Sequence, residues 1–154
     1  MSSTGKINFI IREIELADLQ KGFFQSLSNL AGLGRIIEDN TRAEKILSQI
    51  KSCPFHRIFV AVKDDDGQII GSTTLLIEHK FIHDGGKVGH IEDVTVNKNY
   101  EGKGVGSALV RKAMDFAKEN NCYKVILVCS EKNIQFYKGI GFKEHEISMR
   151  YDTT

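Results

Sequence analysis

The sequence predicts an α/β domain (α+β by some schemes) in which helices flank a mixed central β-sheet. Three observations carry that expectation. Segments with strand composition are interleaved with helical stripes in the order βααββ-βαβαβ. The 154-residue length fits a single domain, since domains run to about 100–200 residues, and there is no repeat, low-complexity run or linker to divide it. The stretch Tyr123–Cys129 is mostly apolar and β-branched, the composition of a strand buried on both faces. One domain is therefore expected over residues 1–154.

Taken in order, Ile7–Glu13 reads as a strand. From Leu16, apolar residues at Leu19, Phe23, Leu27 and Leu30 mark one helix face, and Gly32 and Gly34 end it. Thr41-Arg42-Ala43-Glu44 has capping-box spacing, and Ala43, Ile46, Leu47 and Ile50 form the stripe of a second helix. Phe59–Val62 is a strand, Asp64–Gly67 a turn, and Gln68–Glu78 the next strand. His79–Gly89 is glycine-rich and reads as an irregular loop. Ile91–Val96 is a strand with Glu92 and Asp93 embedded in it. A helix after Gly104 carries Val105, Ala108, Leu109, Ala113, Phe116 and Ala117 on one side and stops at Asn120-Asn121. The strand Tyr123–Cys129 follows, then a short helix Glu131–Lys138 and a last strand Phe142–Arg150.

Composition narrows the function classes. Lys and Arg total 21 against 20 Asp and Glu, a balance that argues against a general nucleic-acid binder. No apolar run approaches the roughly 18 residues of a membrane span, and the polar start Met1–Lys6 has no secretory signal character. The cysteines Cys53, Cys122 and Cys129 are odd in number and lack metal-ligand spacing, so a reducing cytosol and no metal are expected. Cys122 and Cys129 read as buried packing residues rather than nucleophiles.

The strongest chemical signal is Tyr100–Ser107, lying between a strand and a helix. Its alternate glycines, Gly102, Gly104 and Gly106, let several N–H groups converge on one concavity, and the helix start adds its positive dipole end. Together they form an anion site suited to a pyrophosphate. Lys103 stands too early for a P-loop, and Ser107 stands where the dinucleotide fingerprint needs glycine.

Glu101-Gly102-Lys103-Gly104-Val105-Gly106 resembles instead the acyl-coenzyme-A loop Arg/Gln-x-x-Gly-x-Gly/Ala of the GNAT acetyltransferase superfamily, with the first Arg/Gln replaced. The segment Asn133-Ile134-Gln135-Phe136-Tyr137, followed by Gly141-Phe142, resembles a second hallmark of that superfamily, although Phe136 and Tyr137 alone read as core packing. Three further blocks, Ile77–His83, Gly89–Val94 and Cys122–Leu127, are similar to the glucosamine-6-phosphate N-acetyltransferase family. The likeness runs from about Phe9 to Arg150.

This resemblance implies a cytoplasmic homodimer with a site shared between subunits. The reaction implied is acetylation of glucosamine 6-phosphate by acetyl-CoA, a step toward UDP-N-acetylglucosamine, with direct amine attack and no acyl-enzyme. The coenzyme residues implied are Val94, Thr95 and Val96 on the strand, then Gly102, Lys103, Gly104, Val105, Gly106 and Ser107 in the loop. Asn133, Phe136 and Tyr137 complete that set. Sugar-phosphate contacts fall to Lys80, Phe81, Ile82 and His83, to Glu92 and Asp93, and to Tyr123, Lys124 and Arg150. Arg suits bidentate phosphate contact and Lys acts as a point charge; singly, Lys80, Lys124 and Arg150 read as surface charges. Strand alternation is expected to point Glu92 and Asp93 to opposite faces, which excludes a catalytic pair.

The catalytic needs are a proton acceptor for the ammonium, a donor for the oxyanion and a partner for the leaving thiolate. The Val94 N–H is expected at the oxyanion and Tyr137 at the thiolate, since a phenol donates to a thiolate more readily than it ionises. Val128 stands where the family usually has an acidic residue. The base is then the backbone carbonyl at that position or Glu92 acting through water. Ala31 stands for a family threonine, a loss of one hydrogen bond of about 0.5–1.5 kcal/mol. Two competing readings remain: acetylation of another small amine, which would not need the cations Lys80, His83, Lys124 and Arg150, and a non-catalytic acyl-CoA-binding module.

Overall fold

The computed structural model describes residues 5–154, so the first four residues of the polar start lie outside the described residues. Five strands form one sheet in sequence order: β1 (Phe9–Glu13), β2 (His56–Lys63), β3 (Ile69–His79), β4 (Lys87–Val96) and β5 (Cys122–Leu127). The first four run antiparallel and β5 joins β4 in parallel, giving the mixed sheet expected from the sequence. The helices are α1 (Phe23–Leu27), α2 (Asn40–Ser52), a single turn α3 (Ile82–Gly85), α4 (Val105–Glu119) and α5 (Ile134–Ile140). Short 3-10 segments at Leu16–Gln20, Gly34–Glu38, Lys98–Tyr100 and Glu131–Asn133 link them.

The sheet is covered on both sides because its central strands are apolar on both faces. In β2, Phe59 and Ala61 join a core with Leu109, Val110, Ala113 and Ala117 of α4. Ile58, Val60 and Val62 turn the other way onto Leu19, Phe23, Ala43 and Leu47. Helix α4 lies close to β3 at Gly71, where a Cβ would sit 2.9 Å from the Thr95 carbonyl oxygen and 3.0 Å from Leu109. Glycine is the residue that permits this approach.

Several elements depart from the sequence expectation. The single helix expected from Leu16 to Leu30 is two pieces, a 3-10 segment and α1. Between them Gly22 takes φ +97°, and the Lys21 carbonyl accepts a hydrogen bond from Ile69 N–H at 2.7 Å. Docking of this backbone on the start of β3 outweighs the helical stripe. Helix α2 is capped by Asp39, whose carboxylate accepts from Arg42 N–H at 3.0 Å, rather than by Thr41. The loop expected over His79–Gly89 is shorter, since His79 and Lys87–Gly89 belong to strands and Lys80–Gly86 connects β3 to β4.

At the far side, β5 is the outer strand and only partly buried, not covered on both faces. The strand expected over Phe142–Arg150 does not form. From Lys143 onward the chain is exposed, without secondary structure. A strand needs a hydrogen-bonded neighbour, and this segment has none among the described residues.

The first connection is held by a side-chain contact invisible in the periodicity. Asp18 is buried at 1% exposure and accepts from Arg12 Nη1 at 2.6 Å, from Nη2 at 2.9 Å and from Glu15 N–H at 2.8 Å. Burial alone would raise its carboxyl pKa, but the Arg12 and Glu15 hydrogen bonds and the Arg12 charge hold it below the ordinary value.

Candidate active site

Strands β4 and β5 pair from Lys87↔Cys122 to Ile91↔Leu127 and then part. Their divergence opens a cleft of about 280 Å³, bordered by Glu92, Asp93, Val94, Val128, Ser130, Asn133 and Tyr137. Tyr137 reaches it from α5, its ring packed edge-on to Phe136 at 4.9 Å and to Phe142 at 5.9 Å. Burial, with the nearby Cys129 thiol adding to it, pushes the Tyr137 phenol pKa up. It therefore stays protonated and able to donate at neutral pH.

Backbone geometry defines the floor of the cleft. Asn97 N–H donates to the Ile70 carbonyl of β3 at 2.8 Å. The Val96 carbonyl, trans to that N–H across the same peptide, therefore points to the opposite, open edge of β4. Strand alternation places the Val94 N–H and C=O on that same edge. The open Val96 carbonyl accepts a bond from Asn29 Nδ2 at 2.6 Å, which ties the end of α1 to the cleft. Thr95 faces α1 instead, its hydroxyl donating to the buried Ser26 carbonyl at 2.6 Å.

A bulge interrupts β4 where Ser72↔Thr95 gives way to Thr74↔Glu92, and Asp93 takes φ +51°. This overturns the alternation argument for Glu92 and Asp93. Both residues border the cleft, and both also border an apolar cavity of about 460 Å³ beneath α1 and α2. Cys129 is a second correction: it is exposed and lines the cleft, whereas Cys122 is partly buried against the core, burial raising its thiol pKa.

The glycine loop sits at the start of α4. Gly102 and Gly104 take φ +71° and +82°, and Gly104 precedes the helix without any side-chain cap on its first N–H groups. The uncapped first turn is open to an anion. Ser107 directs its hydroxyl to the Gly104 carbonyl at 3.1 Å. Gly106 lies under the Phe136 ring, with a notional Cβ 3.4 Å from its edge, so α4 and α5 meet beside the cleft. Lys103 lies in the same loop, and Val105 opens α4 with its side chain buried in the core.

The residues expected to meet a phosphate divide into two groups. Lys80, His83, Tyr123 and Lys124 gather where the β3–β4 connection meets the start of β5. The His83 and Tyr123 rings lie 4.2 Å apart, and Lys124 Nζ is 5.9 Å from the Tyr123 ring. Lys80 Nζ pairs with Glu78 at 2.5 Å, and the same carboxylate is 2.8 Å from His90 Nε2. Hydrogen bonds from Lys80 and His90 hold the Glu78 carboxyl below its ordinary pKa. Phe81 and Ile82 project into solvent. Arg150 is not brought to this cluster; it pairs with Asp152 in the exposed C-terminal segment.

Sequence reasoning did not assign Asn29, Leu30, Glu78 or His90. The Glu78–His90 pair joins adjacent strands, so only the sheet register reveals it. Val128 is exposed at the cleft rim, and Ala31 lies exposed just after the end of α1.

Residues 17–142 match the acetyltransferase (GNAT) family. The chain is 38% identical over 143 residues to glucosamine 6-phosphate N-acetyltransferase of Arabidopsis thaliana, covering 92% of this chain and 94% of that protein. It is 36% identical over 142 residues to the Candida albicans protein of the same name, covering 92% and 93% respectively. The solved structure of the Arabidopsis thaliana enzyme superposes with a TM-score of 0.91 at 35% identity, covering 96% of this chain and 99% of that one. A domain match, two relatives aligned over nearly their full lengths and a shared fold agree: the chain belongs to the acetyltransferase (GNAT) family.

Proposed function

We propose that the chain is an enzyme that transfers the acetyl group of acetyl-CoA to the C2 amine of glucosamine 6-phosphate, giving N-acetylglucosamine 6-phosphate. This places it in the synthesis of UDP-N-acetylglucosamine. The observation that carries the reading is the cleft between β4 and β5. The edge of β4 beyond its pairing with β5, with the Val96 carbonyl tied to Asn29, leads from Tyr137 toward the uncapped start of α4. An extended chain with amides along it and a pyrophosphate at its end fits that combination. The named relatives bring the amino-sugar phosphate.

Within the cleft, the first-turn N–H groups of α4 and the backbone of Gly102–Gly106 hold the pyrophosphate. The edge of β4 aligns the acyl arm, and the Val94 N–H donates to the oxygen that becomes negative as the amine attacks. Tyr137 donates to the departing thiolate. Glu92 or a cleft carbonyl near Val128 accepts the ammonium proton, Glu92 through water. Asp93 and Glu92 border the sugar, and Lys80, His83 and Lys124 face its phosphate. The whole of 1–154 acts as one catalytic domain without a metal.

The working form in this reading is a cytoplasmic homodimer. Phe81, Ile82, Ile147, Met149 and Tyr151 are exposed, and the odd-numbered alternation of the last three is a strand pattern without a strand. A second copy would cover these residues and carry Arg150 to a partner's phosphate site. No described helix is long and apolar enough to cross a membrane.

The test is incubation with acetyl-CoA and glucosamine 6-phosphate, with the product read by mass spectrometry. One added acetyl group on the sugar phosphate is expected. Coenzyme binding without product on any amino sugar would replace the enzyme by a non-catalytic acyl-CoA-binding module.

A further inference from the structure

Hydrogen bonds of different kinds hold the end of α1 to the sheet. The Thr95 hydroxyl donates to the Ser26 carbonyl at 2.6 Å, and both residues are buried. Further along, Asn29 Nδ2 donates to the Val96 carbonyl at 2.6 Å, and this bond is exposed. Among the described residues, no other hydrogen bond joins Ser28–Gly34 to the sheet. Ser28–Gly32 are all exposed, so little packing holds this stretch once the Asn29 bond is broken. Breaking a buried bond leaves its groups unsatisfied, whereas an exposed one is readily exchanged for another partner.

The place of the Val96 carbonyl gives the exposed bond its meaning. That oxygen points to the open edge of β4, because the N–H of the same peptide is engaged by Ile70. Beyond Ile91, β5 does not pair with this edge. Val94 borders the cleft, and the Val96 side chain stands 3.5 Å from a notional Cβ on Gly106, in the first turn of α4. The carbonyl therefore lies between the cleft and the anion-binding turn, where the arm of a bound acyl-CoA would run. That arm carries secondary amides, and a strand edge binds such a chain by accepting from its N–H groups. An arm N–H needs a place about 2.9 Å from the same oxygen. A carboxamide N–H of the chain itself already fills that place.

We propose that Asn29 is a positioning residue for coenzyme entry: its carboxamide holds the place of an arm amide on the Val96 carbonyl, and the arm takes over that bond and releases the end of α1. This rests on the acyl-CoA reading of the cleft and adds to it an exchange between the chain's own amide and the ligand's. The Thr95–Ser26 bond keeps the body of α1 on the sheet throughout, so release is confined to the residues after Leu27. Leu30 borders the cleft and moves with them, which couples coenzyme arrival to one wall of the cleft.

The test is titration calorimetry with coenzyme A, together with amide hydrogen exchange at the end of α1, on the parent and on Asn29→Ala. The variant has no such bond to give up, so its Kd for coenzyme A should be about 2–10-fold lower than the parent's, the scale of one hydrogen bond. A residue that merely supported the site would move Kd the other way. The N–H groups of Ser28, Asn29 and Leu30 donate to the Phe24, Ser26 and Leu27 carbonyls, so their exchange reports the end of α1. In the parent, saturating coenzyme A should speed exchange at these amides. In Asn29→Ala they should exchange fast before coenzyme is added, with little further change on binding.

A weaker or unchanged Kd in Asn29→Ala would overturn the proposal. So would exchange at Ser28–Leu30 of the parent that slows or stays the same on coenzyme binding. Either result leaves the acyl-CoA reading standing, because the parent has bound the coenzyme. A parent that binds no coenzyme A would overturn that reading, and this inference with it.

Discussion

Replacing Tyr137 by phenylalanine separates chemistry from packing at the cleft. The ring contacts with Phe136 and Phe142 survive the substitution. The hydroxyl takes part in no hydrogen bond among the described residues, so none is lost. Stability should change by less than about 0.5 kcal/mol, or about 2 °C in Tm at this chain length. Tyr137→Ala, by contrast, empties a site only 9% exposed and should cost about 3–5 kcal/mol. The catalytic loss has a different origin. A hydrogen bond to a charged leaving group is worth about 1.5–3 kcal/mol, which converts to a kcat lower by about 10–100-fold. Because the thiolate forms only as the reaction proceeds, KM for acetyl-CoA should hardly move. Burial raises the phenol above its ordinary pKa, so its ionisation should not depress the parent kcat until pH rises past about 10. Thiol release measured by a chromogenic disulfide gives both constants, and scanning calorimetry gives Tm. A Tyr137→Phe protein with the parent kcat would refute the assigned role.

Three further expectations follow from the same geometry. Asp18→Asn breaks a buried pair whose arginine is partly exposed, at about 2–3 kcal/mol, or about 6–9 °C in Tm. Since the Asp18 carboxyl sits below its unfolded value, its stabilisation is complete above pH about 4 and lost as pH falls through the folded pKa. The Tm gap between parent and variant should therefore close in acid, and a gap constant down to pH 2 would contradict the assignment. Gly71→Ala forces a methyl against the Thr95 carbonyl and Leu109 and should cost about 1–3 kcal/mol, read by urea denaturation; an unchanged midpoint would show that α4 is free to shift. Lys124→Ala and Arg150→Ala should each raise KM for glucosamine 6-phosphate by about 10–100-fold and leave KM for acetyl-CoA alone. Unchanged phosphosugar constants would remove the phosphate from the substrate assignment.

Most of the sheet and the two long helices were legible because each carries its own period. Helix α4 shows an apolar face and ends at Asn120, and β2 and β3 are bounded by the Asp64–Gly67 turn. The misreadings arise where the deciding contact is distant in sequence. The Leu16–Leu30 stripe is continuous, but Ile69 captures the Lys21 carbonyl and Gly22 turns the chain. Residues Lys143–Tyr151 alternate as a strand would, yet none of the described strands pairs with them. Period two also misplaced Asp93, because a bulge adds one residue to β4 without any glycine or proline to announce it. The glycine loop was legible from spacing alone, since Gly102 and Gly104 do adopt positive φ. The phosphate cluster was legible only through resemblance: Lys80, His83 and Lys124 are ordinary surface residues until the fold brings them around Tyr123.

The most direct test of the account compares glucosamine 6-phosphate with glucosamine as acceptors, by kcat/KM for thiol release from acetyl-CoA. The account predicts rapid release with the phosphosugar and a large loss without the phosphate, most of it in KM. Equal and slow release with both, or none with either, would contradict it and leave Val128 and Ala31 as marks of an enzyme turned to a different amine.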